Sequence, residues 1–292
     1  MRRNSVLGKK VLILGGSGFI GSRTSMAFSD AGAIVKINTR EDLNNMDRLV
    51  SEHNIIINLI AKINAHDLEY SRESQEINIE LSKNLLKSVV KNNPECKIIF
   101  ASSQTVYGIA NPLLIDESFQ TNPETIYARQ KKQAESIYEE YAHKYNISVA
   151  ILRLTNVYGY ESKNSRSVIS LFMKNALNDK NIEIFGDGLE LRDYIYVDDV
   201  ANAFVTTADM SLKNLIYNCG SGYAYSVKDI AEKIIKCVGK GNIVHVPFPN
   251  NYARYPGDII IDSGRFNSET GWEARVNLEE GIKRIYNHYT IY

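Results

Sequence analysis

Short apolar runs separated by longer stretches of helical periodicity organise the first half of the chain. Residues 10–15 (KVLILG) form a continuous apolar run closed by glycine, the pattern of a strand buried on both faces. Residues 34–38, 55–59, 97–101 and 148–154 repeat it. Between these runs, residues 19–31, 75–92 and 124–145 carry helical spacing, and Gly32 supplies a stop for the first helix. Apolar strands alternating with amphipathic helices predict an α/β fold, a Rossmann-type doubly wound parallel sheet. Beyond Leu154 the pattern loosens. A helix is predicted over 165–178 and a strand over 193–197 (DYIYV), with Asp198-Asp199 capping a helix that runs to about 209. Ser226-Val227-Lys228-Asp229 reads as a capping box with Asp in place of Glu or Gln, and a last helix is predicted over 278–288. No linker interrupts the chain. Residues 9–155 plus 193–217 are therefore expected to form the domain with the main sheet, and 156–192 plus 218–292 a smaller, interwoven C-terminal lobe.

The first strand runs into Gly15-Gly16-Ser17-Gly18-Phe19-Ile20-Gly21, which satisfies Gly-x-Gly-x-x-Gly from Gly16 and Gly-x-x-Gly-x-x-Gly from Gly15. With a strand before it and a helix after it, this is the dinucleotide-binding fingerprint. The first glycines allow a tight turn, the middle one lets backbone N–H groups approach a pyrophosphate, and the last allows close helix–strand packing. The helix N-terminus adds the positive end of its dipole. An acidic residue about 20 positions on would mark NAD by bonding the ribose hydroxyls. Here the second strand ends Ile37-Asn38-Thr39-Arg40. Thr39 and Arg40 suit a 2′-phosphate, so NADP(H) is expected ahead of NAD(H).

Tyr127 and Lys131 are four residues apart at the start of a predicted helix and share one face. A tyrosine near its ordinary pKa is a poor base at neutral pH, and a nearby ammonium favours the phenolate. The pair can pass a proton to or from a hydroxyl while hydride moves at the same carbon. Lys131 could also bond the nicotinamide ribose. Ser103, after the buried run 97–101, can donate to the reacting oxygen. Any one of these features is common. The ordered set of glycine turn, strand-end serine and Tyr-x-x-x-Lys points to hydride transfer at an alcohol or sugar carbon.

Charge and cysteine content narrow the setting. Lys+Arg and Asp+Glu both total 34, which argues against a nucleic-acid-wrapping surface. Cys96, Cys219 and Cys237 are widely spaced and odd in number, giving neither a disulfide framework nor a metal-ligand pair. No run of 18 apolar residues appears, so no membrane span is predicted. The expectation is a cytoplasmic protein without a metal.

The motifs together resemble the extended short-chain dehydrogenase/reductase family, in particular its nucleotide-sugar epimerases, dehydratases and 4-keto reductases. The resemblance runs from about Val11 to Tyr289. It implies cofactor contacts at Gly15, Ser17, Gly18, Phe19, Ile20, Gly21, Asn38, Thr39 and Arg40, at Ala61 in a cofactor loop, at the internal helix asparagine Asn78, and at Tyr127 and Lys131. Arg153-x-x-Asn156-Val157-Tyr158-Gly159 resembles the loop whose asparagine meets a substrate diphosphate. The segments around Arg192 and Arg254 resemble those that bring two arginines to the nucleotide and phosphates, a sensible donor set for a diphosphate. Ser103, Gln104 and Thr105 would line the sugar. The dehydratases of the family carry Asp-Glu where this chain has Gln104-Thr105, which argues against β-elimination. The family's common histidine is Asn58 here. The resemblance implies an NAD(P)-dependent oxidoreductase acting at C4 of a nucleotide sugar, with reduction of an NDP-4-keto-6-deoxyhexose preferred and a UDP-glucose 4-epimerase-like activity as the alternative. A non-catalytic dinucleotide sensor is a remote third reading. A homodimer built on helices 75–92 and 124–145 is expected, with Ile137, Tyr141 and Tyr145 either on its interface or in the core.

Overall fold

The computed structural model describes residues 6–62, 72–108, 114–160, 167–248 and 259–291. Arg254 lies outside them. The first half is built from β1 (Lys10–Leu14), α1 (Phe19–Asp30), β2 (Ile34–Ile37), α2 (Met46–Ser51), β3 (Ile55–Asn58) and α3 (Arg72–Gln75), which passes through a π-helical turn at Glu76–Glu80 into α4 (Leu81–Asn92). Then come β4 (Lys97–Ser103), β5 (Leu114–Ile115), α5 (Ile126–Tyr145) and β6 (Val149–Leu154). The second half contains β7 (Asn156–Tyr158), α6 (Val168–Leu177), β8 (Ile182–Phe185), β9 (Leu191–Tyr196), α7 (Val197–Asp209), β10 (Ile216–Cys219), β11 (Ala224–Ser226), α8 (Val227–Val238), β12 (Ile243–Val246), β13 (Ile260–Ile261), α9 (Gly264–Thr270) and α10 (Leu278–Ile291).

Six strands form one parallel sheet in the order β10-β6-β4-β3-β1-β2. The chain leaves β1 toward β2 on one side and crosses to β3 on the other. The strand order therefore reverses between β1 and β3, and in such a sheet ligands bind at the carboxyl ends beside that point. Alternation sorts the strand residues into two layers. Val11 and Ile13 face Phe28 of α1 and Phe204 of α7, whereas Leu12 and Leu14 face Leu85, Leu86 and Val89 of α4 with Ala134 and Tyr138 of α5. A third apolar cluster, with Met173, Ile182, Ile184, Ile230, Ile234 and Ile282, holds the C-terminal part together. There, β7, β9 and β11 form a small mixed sheet and β8 pairs with β12.

The five predicted strands of the first half appear within a residue or two of their expected ends. The expected cap at Asp198-Asp199 does not form. Tyr196 is the extended N-cap of α7, and both acids lie inside its first turn. Asp199 instead accepts from the backbone N–H groups of Arg275 and Val276, and Asp198 pairs with Arg23 of α1 at 2.7 Å. The Ser226/Asp229 capping box forms as expected. The last helix continues to Ile291. Among the described residues, no helix is long and apolar enough to cross a membrane.

Candidate active site

The glycine turn joins β1 to α1 with no room for side chains between them. Gly15 adopts a φ of +81°, and a β-carbon on Gly21 would lie 2.1 Å from the Gly15 carbonyl oxygen. The helix therefore starts flush against the strand end. Ser17 and Gly18 are exposed at the mouth of the turn, while the Phe19 and Ile20 side chains pack inward. What Phe19 and Ile20 can offer an anion is their backbone N–H in the first helical turn. A pyrophosphate fits this cradle of bare backbone and helix N-terminus. Asn38, at the end of β2, accepts from the Gly15 N–H at 2.9 Å and so braces the turn. Thr39 and Arg40 are exposed beside it. An acid absent from the strand end itself is found three residues after Thr39: Asp42 accepts from the Thr39 N–H at 2.8 Å and pairs with Lys36, and chiefly that backbone bond holds its carboxyl below the usual range.

Across the strand-order reversal, the segment after β3 carries Ala61. It is pinned by Asn78, which accepts from the Lys62 N–H at 2.8 Å, donates to the Lys62 carbonyl at 3.1 Å and donates to Gln130 of α5 at 2.7 Å. Asn78 thus ties the π-helical turn, the cofactor-side loop and the Tyr127 helix together. Asn58 is buried and donates to the Tyr138 hydroxyl at 2.9 Å.

Ser103 is the last residue of β4 and caps a 3-10 turn over Gln104–Tyr107. Its hydroxyl oxygen accepts from the Thr105 N–H at 3.2 Å and the Thr105 hydroxyl at 3.0 Å, which leaves its own proton available to a ligand oxygen. Gln104 is buried, and its Oε1 has no hydrogen-bond partner among the described residues. Gly108 lies so close to the loop before α5 that a β-carbon there would meet the Asn122 carbonyl at 2.0 Å. That contact fixes the Ser103 turn against the start of α5, where Thr125 caps the helix by accepting from the Ala128 N–H. Tyr127 stands in this first turn. Lys131 is buried one turn on, its Nζ 5.8 Å from the Tyr127 ring centre, 4.6 Å from the Phe100 ring centre and donating to the Ala101 carbonyl at 2.6 Å. Burial lowers its pKa to about 8, with Glu135 opposing the drop. Ser103, Tyr127 and Lys131 therefore converge on the carboxyl end of β4.

Beneath them lies a buried polar network that sequence reasoning passed over. Arg153 of β6 donates to both oxygens of Glu135 (2.9 and 2.7 Å), and Ser102 donates to the same carboxylate at 2.6 Å. Arg153 also donates to the Tyr107 hydroxyl at 3.0 Å, which in turn donates to Asn218 at 2.7 Å. Burial opposes the Arg153 charge, but its bonds to Glu135 and Tyr107 outweigh that, and its pKa rises. Two signals were available: a single charge inside VAILRL, and a glutamate four residues after Lys131.

On the substrate side, Asn156 donates to the Asp193 carbonyl at 2.8 Å, and Arg192 lies half-buried on β9 with a bond to the Leu191 carbonyl. The Asp193 side chain accepts from Ser221 through both its N–H and its hydroxyl and from the Gly222 N–H. Burial raises its pKa against those bonds. Asp193 is thus an anchor for the loop after β10. No group of three or more His, Cys, Asp or Glu side chains suited to a metal occurs among the described residues.

This architecture is that of a nucleotide-sugar oxidoreductase, and the chain belongs to the NAD dependent epimerase/dehydratase family, whose profile matches residues 11–220. It is 33% identical over 303 residues to a putative UDP-glucose 4-epimerase of Methanocaldococcus jannaschii, covering 95% of this chain and 97% of that one. It is 29% identical over 256 residues to the dTDP-4-dehydro-6-deoxyglucose reductase of Escherichia coli, covering 85% and 79% of the two chains. Among solved structures, the UDP-glucose 4-epimerase of Thermotoga maritima with UDP-glucose superposes with a TM-score of 0.86 at 26% identity, covering 97% of this chain and all (100%) of that one. The protein is an enzyme acting on nucleotide sugars.

Proposed function

We propose that this enzyme interconverts the C4 configuration of a nucleotide sugar, as a 4-epimerase that retains NAD(H). The observation that carries the reading is the convergence of Ser103, Tyr127 and Lys131 at the end of β4, with Gln104 and Thr105 where a carboxylate pair would support elimination. When bound in the glycine cradle, the dinucleotide supplies the hydride acceptor and donor. Gly15, Ser17, Gly18, Gly21 and the backbone of Phe19 and Ile20 would hold its pyrophosphate, Asn38 and Thr39 would flank its ribose, and Ala61 and Asn78 would shape the wall opposite. Tyr127 takes the proton of the C4 hydroxyl and later returns one to the C4 oxygen. Ser103 donates to that oxygen while its bond to carbon changes order, and Lys131 keeps the phenolate favoured. Asn156, Arg192 and Arg254 take the diphosphate side, in a substrate lobe made from 156–192 and 218–292. The full-length likeness to the archaeal relative supports epimerisation, and the likeness to the Escherichia coli reductase supports the second reading below.

A second reading, NADPH-dependent reduction of an NDP-4-keto-6-deoxyhexose, is favoured by Asn38-Thr39-Arg40, where a neutral amide and an exposed guanidinium replace the expected acid. The test is the cofactor released by denaturing freshly purified protein, followed by incubation of UDP-glucose with the enzyme. Stoichiometric NAD⁺ and appearance of the C4 epimer support the epimerase. Empty protein with a preference for NADPH supports the reductase. In both readings Tyr127→Phe lowers turnover at least about 100-fold while dinucleotide binding persists, and retained turnover would sink the assignment. The functional unit is read as a homodimer through α4 and α5. Ile137 and Tyr141 already pack on the core, which leaves Tyr145 as the exposed member of that stripe, and light scattering on the purified protein decides the state.

A further inference from the structure

We propose that the Glu135–Arg153 pair is the positioning group of the Tyr127/Lys131 relay, in which Glu135 keeps the Lys131 ammonium charged and, through Ser102, fixes the strand end that carries Ser103. The inference rests on the reading of Tyr127 and Lys131 given above. Ser102 and Arg153 are cross-strand partners in the β4–β6 register. By alternation they share the sheet face of Phe100 and Ile151, the face covered by α5. Glu135 descends from α5 onto exactly that pair of residues and is fully buried. Its Oε1 accepts from Ser102 and from Arg153 Nε, its Oε2 accepts from the other Arg153 nitrogen, and Lys132 approaches the same oxygen at 3.4 Å.

A buried ion pair is a poor device for stability alone, because desolvation cancels most of the attraction and apolar residues of similar volume do as well. Its location gives a reason for it. Lys131 and Glu135 are one helical turn apart on α5 and both are buried. Lys131 faces Tyr127 on its own helix and the Phe100 ring and Ala101 carbonyl on β4, and feels the Glu135 charge one turn on. Arg153 reaches Glu135 from β6, and Tyr107 holds Arg153 from the turn after Ser103. Gln130 and Asn78, on the flank, are neutral. The Glu135 carboxylate thus serves three cations: Arg153 and Lys132 by direct contact and Lys131 through space. Without it, Lys131 would share a buried site with an unpaired guanidinium, and the ammonium would give up its proton at lower pH.

The test is the pH dependence of kcat/KM with UDP-glucose in wild type, in Glu135→Gln and in the double variant Glu135→Gln/Arg153→Met, with NADH binding as the check that each protein is folded. In Glu135→Gln the alkaline limb moves toward neutrality by about one pH unit or more, and kcat falls with little change in KM. In the double variant the unpaired guanidinium is gone, and the limb returns partway toward its wild-type position. A merely structural pair would lower thermal stability and leave the limb in place. An unmoved limb in Glu135→Gln overturns the proposal. If that variant is not recovered, the double variant decides against wild type, a lowered limb supporting the proposal and a wild-type limb overturning it. Failure of the underlying reading looks different: Tyr127→Phe would then keep its turnover, whatever the Glu135 variants do.

Discussion

The glycine turn allows two mutations, three residues apart, to separate folding from cofactor binding. At Gly21 an added β-carbon would sit 2.1 Å from the Gly15 carbonyl oxygen and 2.6 Å from the Gly16 α-carbon. Both are backbone atoms and cannot swing away, so α1 must retreat from β1 by about 1 Å, at the cost of overpacking, about 1–3 kcal/mol. The better helix propensity of alanine returns less than about 1 kcal/mol. A net loss of about 1–2 kcal/mol lowers Tm by roughly 3–6 °C in a chain of this size. At Gly18 the β-carbon would lie 3.3 Å from the same oxygen, and the backbone, at φ −74° and ψ 177°, accepts any L residue. There the poorer N-cap and the stiffer unfolded chain nearly offset each other, so Gly18→Ala leaves Tm within about 2 °C. Its methyl group instead occupies the exposed mouth of the cradle, and dinucleotide affinity falls about tenfold or more. Differential scanning fluorimetry and an NADH fluorescence titration on both variants read the two effects. A Gly21→Ala protein as stable as wild type would refute the packing argument. Wild-type affinity in Gly18→Ala would refute the cradle.

Other perturbations test other parts of the structure. Lys97, half-buried under the C-terminal end of α7 and bonded to the Thr207 and Met210 carbonyls, has its pKa pushed down by desolvation to about 8. The unfolded lysine titrates near 10.4, so between these values the unfolded state holds the extra proton and stability rises with pH, by at most about 3 kcal/mol per such group. Lys131 acts in the same window and direction, so urea titrations should find about half of the rise missing in Lys97→Met. Tyr107→Phe leaves one Arg153 N–H and the Asn218 oxygen without a buried partner and costs about 2–3 kcal/mol; an unchanged Tm would show that water replaces the hydroxyl. Arg40→Ser lowers NADPH affinity about tenfold relative to NADH if Arg40 meets a 2′-phosphate, and an unchanged ratio in paired titrations removes it from the cofactor site.

Sequence reading went furthest where the signal is local. The continuous apolar runs marked strands, four of them buried in the sheet, whereas β2 forms its partly exposed edge, and the glycine turn, read with the strand before it and the helix after it, located the tight junction at the carboxyl end of β1. The capping box at Ser226 rests on two side chains three residues apart and formed as read. Asp198-Asp199 misled because the same residue types serve as caps and as long-range partners: their bonds run to Arg275, Val276 and Arg23, far away in the chain. The short strands β8, β10, β11 and β12 carry little periodicity of their own and exist through pairing partners that sequence spacing does not reveal. Asp42 escaped notice because it follows the strand end in a turn and reaches the cofactor edge through the Thr39 backbone.

The buried charges show the same division between local pattern and tertiary cause. In an all-parallel sheet every strand delivers its carboxyl end to one edge, and that edge is where the chain gives up its apolar rule. β4 changes from KIIFA to two serines, and β6 places Arg153 among leucines. Each change is unfavourable by itself, because a serine or an arginine in a buried strand needs partners. Placed in register, with Glu135 above them on α5, they satisfy one another beneath Ser103 and the buried Lys131. On the reading proposed above, the residues that break the strand pattern are therefore the ones that position the reacting groups. Lys97, at the amino end of β4, is half-buried, donates to the Thr207 and Met210 carbonyls near the end of α7, and has Asp209 as its charged neighbour. Burial lowers both lysines to about the same pKa of 8, opposed at Lys97 by Asp209 and at Lys131 by Glu135, and on the reading proposed above only Lys131 stands beside the tyrosine of the relay.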